Sequence, residues 1–145
     1  MSSSGLSWAM VGSHALRSHP MHRILMRTVV FDFPPEVHDI ARDFWQIALA
    51  AGLRRGHTYP EYHVLEHPAT TGPVMVQQLG HGASRVHLDI ETDDLDSEIA
   101  RLVAVGATVV ERHQEWAVLR DPAGLVFCVV PAGSEDFAEL SHPVG

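Results

Sequence analysis

Lysine and asparagine are missing from the sequence altogether. Without lysine there is no Schiff-base catalysis, no phosphate-loop lysine and no lysine general base. Codon bias is the plainer account of both absences. Cysteine occurs once, which excludes an internal disulfide framework and suits a reducing, cytoplasmic setting. Cations are few: ten Arg face eighteen Asp and Glu, for a formal charge of -8. Such a surface repels phosphate backbones, so no nucleic-acid partner is expected. No apolar run approaches the ~18 residues needed to cross a bilayer, so no membrane partner is expected either.

What remains is a globular composition, 145 residues with 46% hydrophobic side chains. That length suits one domain able to bury a core without staples. Residues 1–22 show no sustained period and read as a flexible N-terminal extension. Their apolar stretch, Leu6 to Gly12, is short and has no basic region before it, so it does not read as a convincing signal peptide. Residues 23–131 read as a single domain, and 132–145 as a C-terminal tail in which Phe137 and Leu140 dock as one helical turn.

Within the domain, strand-like and helix-like signals alternate. Ile24 to Phe33 is rich in β-branched and apolar residues and stops at Pro34-Pro35, which suit a helix start. Val37, Ile40, Ala41, Phe44, Trp45, Ala48 and Leu49 then form an amphipathic stripe that Gly52 terminates. Strand candidates follow at Leu53 to Thr58, Tyr62 to Glu66 and Val74 to Leu79. From Arg85 to Thr92 the chain alternates again, Val86, Leu88 and Ile90 against His87, Asp89 and Glu91. Thr92, Asp93 and Asp94 offer helix caps. Leu95, Ile99, Leu102 and Val103 supply the stripe, and Gly106 ends the helix. Strands at Thr108 to Arg112, Glu115 to Arg120 and Leu125 to Val130 complete the series. Both halves, 23–80 and 84–131, thus read strand, helix, three strands. Ile40-Ala41-Arg42 recurs as Ile99-Ala100-Arg101, an offset of 59 residues. The natural reading is a duplicated βαβββ unit.

The motifs Arg85-Val86-His87-Leu88-Asp89, Asp93-Asp94-Leu95-Asp96, Gly106-Ala107, Asp121-Pro122-Ala123-Gly124 and Phe127-Cys128-Val129-Val130 resemble the glyoxalase-like domains of the vicinal oxygen chelate superfamily. Val29-Val30-Phe31-Asp32 and Ala41-Arg42-Asp43-Phe44-Trp45 carry the weaker likeness of the first half. The resemblance implies an α+β fold in which two βαβββ modules curl one mixed sheet into a cup, helices outside. In metal-using relatives four inward side chains, two per module, hold the ion. By position these are Thr28, Gln77, His87 and Cys128. Thr28 and Cys128 depart from the His, Glu or Gln that the pattern expects, and thin donors hold metal poorly. A metal-free site with no cofactor is therefore expected. His87, Gln77 and Cys128 would form the set should a divalent ion be held.

By alternation His87, Asp89 and Glu91 share the face that the cup would present. A His and a carboxylate on a concave wall form an acid–base pair; equally, such a His serves structure alone. An inward Asp89 needs a partner. Asp32, at the matching end of the first strand, either serves the same wall or caps the turn before Pro34, an alternative that weighs more for it than for Asp89. Cys128 reads as core or pocket lining rather than nucleophile. Trp116, Tyr59 and Tyr62 either line the cup or belong to the core, the latter being commoner. Phe44 and Trp45 read as packing between helix and sheet. His57, His63, His67, His81 and His113 read as surface groups.

Two functions follow from the resemblance. One is a small-molecule enzyme of isomerase or lyase type that moves a proton on an oxygen-rich metabolite, with His87, Asp89 and Gln77 catalytic. Thr28, Glu91, Trp116 and Cys128 would touch the ligand. The other is a binding protein without turnover, similar to the bleomycin-resistance members, whose acidic cups sequester cationic drugs. A homodimer is expected, because exposed sheet edges in small cups tend to pair.

Overall fold

The computed structural model describes residues 19–70 and 72–145. The flexible extension expected for residues 1–22 lies mostly outside them. The first strand, β1, is His22–Phe33, and Pro34 then directs the chain into α1, Pro35–Ala48. Strands β2 (Gly52–Arg55), β3 (Tyr62–Glu66) and β4 (Val74–Gln78) close the first half. The second half repeats the order: β5 (Arg85–Thr92), α2 (Leu95–Ala104), β6 (Thr108–Arg112), β7 (Ala117–Arg120) and β8 (Val126–Pro131). A helical turn, α3 (Phe137–Leu140), and β9 (His142–Val144) end the chain. The strands form one mixed sheet in the order β2-β3-β4-β1-β5-β8-β7-β6, with β9 added to β1.

The register carries the duplication. On antiparallel β1 and β5, Thr28 lies opposite Asp89 and Val30 opposite His87. Shifting by the 59-residue offset exchanges those two pairs, so a pseudo-twofold axis passes between them. The same shift carries Val30 to Asp89, and their parallel partners are Met75 on β4 and Cys128 on β8 respectively. Met75, not Gln77, therefore occupies in the first module the place of Cys128 in the second.

Alternation gives the sheet two unlike faces. Its apolar face supports two core clusters. Leu65, Val74 and Val76 pack with Phe31, Trp45 and Leu49, whereas Ala117, Leu119 and Val129 pack with Leu95, Ile99 and Leu102. Helix α2 follows the sequence closely. Asp94 caps it by accepting from the Ser97 amide, and Gly106 leaves it at φ +112°.

Helix α1 departs from expectation. Trp45 and Leu49 face the sheet, but Ile40, Phe44 and Ile47 are 73%, 61% and 81% exposed. The apolar stripe is one face of the helix, but only its Trp45 and Leu49 flank meets the sheet, and the rest of the stripe turns outward. His38 takes an inward position and is buried beside His63, their ring centroids 5.3 Å apart. His63 is thus not a surface group: alternation puts it on the same sheet face as Leu65. Nor does Gly52 terminate α1, since Ala50, at φ 51°, makes the left-handed turn before Gly52 opens β2.

Candidate functional site

Polar residues gather on the other face of β1 and β5. Asp32 has no solvent exposure. Its Oδ2 accepts a 2.6 Å bond from His87 Nδ1 and a 3.2 Å bond from Arg85 Nε. Asp32 is therefore part of the wall and not a cap for the Pro34 turn. Antiparallel pairing sets it opposite Arg85, one alternation from His87. On the far side of the ring, His87 Nε2 lies 3.2 Å from Asp89 Oδ1. The charges pair at that distance, yet the carboxylate oxygen accepts no aligned hydrogen bond from the described residues.

Burial alone would lower the His87 pKa. The bond to Asp32, together with the Asp89 carboxylate and the Cys128 sulfur close by, overcomes it and raises the pKa to about 11. The surroundings of Nε2 therefore favour a positive charge there. Tyr62 joins the same neighbourhood from β3. Its phenol is held above the ordinary range by burial, then by the charges of Asp89, Cys128 and Asp32. It is a neutral donor at the edge of the cluster. The sequence left Tyr62 between core and cup; its register with Gln77 places it on the polar face.

The other expected residues divide. Gln77 lies beside Asp32 on β4, and Thr28 beside Asp89 on β1. Glu91 is not free to meet a ligand. Its carboxylate accepts from the Gly133 and Ser134 amides, both at 2.8 Å, and from Ser134 Oγ at 2.6 Å. A buried carboxylate so satisfied is an anchor for the C-terminal segment. Trp116 stacks on His113 at 3.8 Å in the β6–β7 turn and does not join the cluster. Arg85 went unread, although it shares the alternation of His87.

A shallow hollow of about 550 Å3 opens beside the wall, lined by Arg55, Glu61, Gln77 and Gln78 among others. It meets the cluster through Gln77. Within the cluster the ligating atoms of His87, Asp89 and Cys128 all lie within 4.8 Å of one another. Asp32 fixes Nδ1 and leaves Nε2 to face the other two donors, the usual support for a metal-binding imidazole. Nitrogen, oxygen and sulfur donors this close together fit a divalent ion. The group can therefore hold a metal, with Asp89 beside the expected His87 and Cys128.

The profile of the glyoxalase-like domain family matches residues 28–130. No curated protein matches the sequence. Among solved structures, a Streptomyces coelicolor methylmalonyl-CoA epimerase in complex with 2-nitronate-propionyl-CoA is similar at 13% identity and a TM-score of 0.51. That likeness covers 75% of this chain and 97% of the epimerase. The epimerase of Mycobacterium tuberculosis is 16% identical at a TM-score of 0.49, over 74% of this chain and 88% of its own. A fusion of a xylose isomerase-like TIM barrel with a 4-hydroxyphenylpyruvate dioxygenase is 10% identical at 0.52, over 83% of this chain and 22% of the fusion. The two likenesses with TM-scores of 0.51 and 0.52 agree with the fold, and the family match spans both halves of the duplication. The chain belongs to the glyoxalase-like domain family.

Proposed function

We propose that the chain is an enzyme of isomerase or lyase type that moves a proton next to a carbonyl of a small, oxygen-rich molecule. The observation that carries this reading is the Asp32–His87–Asp89 array, with one carboxylate fully buried and the other half-open. Asp32 fixes the ring by accepting from Nδ1, as an orienting carboxylate does for a catalytic imidazole. Asp89, its side chain 16% exposed, is the member that substrate reaches, and its carboxylate exchanges the proton. The Gln77 amide and the Tyr62 phenol donate to the substrate's oxygens. A divalent ion on His87, Asp89 and Cys128 would polarise the carbonyl.

Hydrogen–deuterium exchange in small 2-oxo and 2-hydroxy acids and their thioesters, followed by NMR, tests this. Exchange should appear with the wild-type chain and fall by about 10²- to 10⁴-fold in His87→Gln. Tight stoichiometric binding with no exchange would leave a sequestering protein instead.

The same reading takes the chain as a cytoplasmic homodimer. Exposed Ile40, Phe44 and Ile47 on α1 and the open edge strand β6 support association. The free thiol of Cys128 at the wall suits a reducing compartment. Light scattering should give twice the 15.9 kDa chain mass. Ile40→Glu combined with Phe44→Glu should halve it.

A further inference from the structure

Asp89 and Cys128 face each other in register on the parallel strands β5 and β8, and His87 precedes Asp89 by one alternation on the same face. We propose that this half of the duplication alone binds one zinc-class divalent ion, through His87 Nε2, the Asp89 carboxylate and the Cys128 sulfur. Among the described residues of the first module, Asp32 serves this centre by orienting the imidazole without ligating.

The geometry argues for this set over one shared between modules. The ligating atoms of all three residues lie within 4.8 Å of one another. Asp89 Oδ1 is buried and accepts no hydrogen bond among the described residues, so a lone pair stands ready. Thr28, opposite Asp89, offers only a neutral hydroxyl. Gln77 lies opposite Asp32, two residues along β4 from Met75, the counterpart of Cys128.

The donors also choose the ion. Imidazole and thiolate favour zinc, whereas magnesium and calcium take oxygen sets. Three protein ligands leave a fourth position for water or a substrate oxygen. Binding requires the thiol to lose its proton.

This inference rests on the proposed function for the ion's role, and not for its binding. The test is titration of the full chain with cobalt(II), a spectroscopic substitute for zinc, alongside elemental analysis after zinc loading. One ion per chain is expected, with a near-ultraviolet thiolate-to-cobalt charge-transfer band that Cys128→Ser abolishes. Asp89→Asn should weaken binding at least about tenfold, and Asp32→Asn about 10- to 100-fold with the band kept. Thr28→Val and Gln77→Ala should change neither band nor affinity. Should Cys128→Ser fail to fold, zinc must instead protect Cys128 of the wild-type chain from alkylation.

The proposal is overturned by the absence of saturable uptake, by a band that survives Cys128→Ser, by unchanged affinity in Asp89→Asn, or by loss of binding in Gln77→Ala. Ion uptake without proton exchange on any carbonyl compound would sink the reaction and keep the site. Exchange by a chain that takes up no ion would do the reverse.

Discussion

Asp32 puts a charge where solvent does not reach, and its Oδ2 serves His87 and Arg85 together. Asp32→Asn keeps the shape and deletes the charge, leaving a buried imidazole without its stronger acceptor. Breaking a buried pair from one side costs about 3–5 kcal/mol, and the half-open Arg85 places this case near the low end. Urea denaturation should therefore show a loss of about 3 kcal/mol. A loss below about 1 kcal/mol would mean that Asp89 alone holds the ring. An acid ahead of two prolines is a turn signal, and only the pairing of β1 with β5 carries Asp32 to His87. One signal in the sequence did point there: the 59-residue offset makes Asp32 the counterpart of Glu91, which alternation had put on the polar wall. His87 and Asp89 were legible because alternation within one strand sets their face. Glu91 shared that pattern and yet went to the tail, since its partners come from the loop after β8.

The two helices show which elements local rules decide. Around α2 a capping Asp94, acids in the first turn and Gly106 agree, and the helix stands where the sequence put it. Around α1 the apolar stripe is as clear, yet packing turned its Trp45 flank and His38 inward and left the rest of the stripe exposed. Its end is strained as well: Ala50 at φ 51° holds a conformation costing roughly 1–2 kcal/mol for an L-residue. Ala50→Gly should gain about 0.5–1 kcal/mol in urea denaturation, part of the relief being lost to glycine's unfolded freedom.

Helix α2 is also tied to the start of β1. Glu98, fully buried, accepts from His22 Nε2 at 2.7 Å and from Arg101 at 2.8 Å. Burial pulls the His22 pKa down, but the Pro20 carbonyl and Glu98 outweigh it, so the pKa lies above its ordinary 6.5. A group raised on folding adds its stability in full below the unfolded pKa and loses it as pH rises through the folded one. The advantage of the wild-type chain over His22→Gln should thus be greatest near about pH 6 and shrink as the solution becomes alkaline. A gap that widens with pH would show His22 to be buried neutral.

At the scale of the whole molecule, the duplication was legible because it is written twice in one order of elements, and the pseudo-twofold register follows from it. The C-terminal segment has no counterpart in the first module, so nothing in the repeat announced where it goes. The single helical turn expected of Phe137 and Leu140 is present as α3, but β9 pairs with β1 from His22 to Ile24. Phe137 is buried, Asp136 pairs with Arg27 at 2.7 Å, and Glu91 holds the Gly133–Ser134 backbone. Removing residues 132–145 forfeits one large apolar side chain, worth about 1.5–3 kcal/mol when buried, together with the β9 ladder. Glu91 regains water in exchange for its three lost donors, which offsets part of the cost. The shortened chain should still fold, about 2–3 kcal/mol less stable, with faster amide exchange at Ile24, opposite the lost His142. Glu91 stands one alternation beyond Asp89, so the segment it anchors borders the His87 cluster. Cys128 should then alkylate faster in the shortened chain than in the full one. Equal rates would place the segment clear of the site and leave it a purely structural clasp.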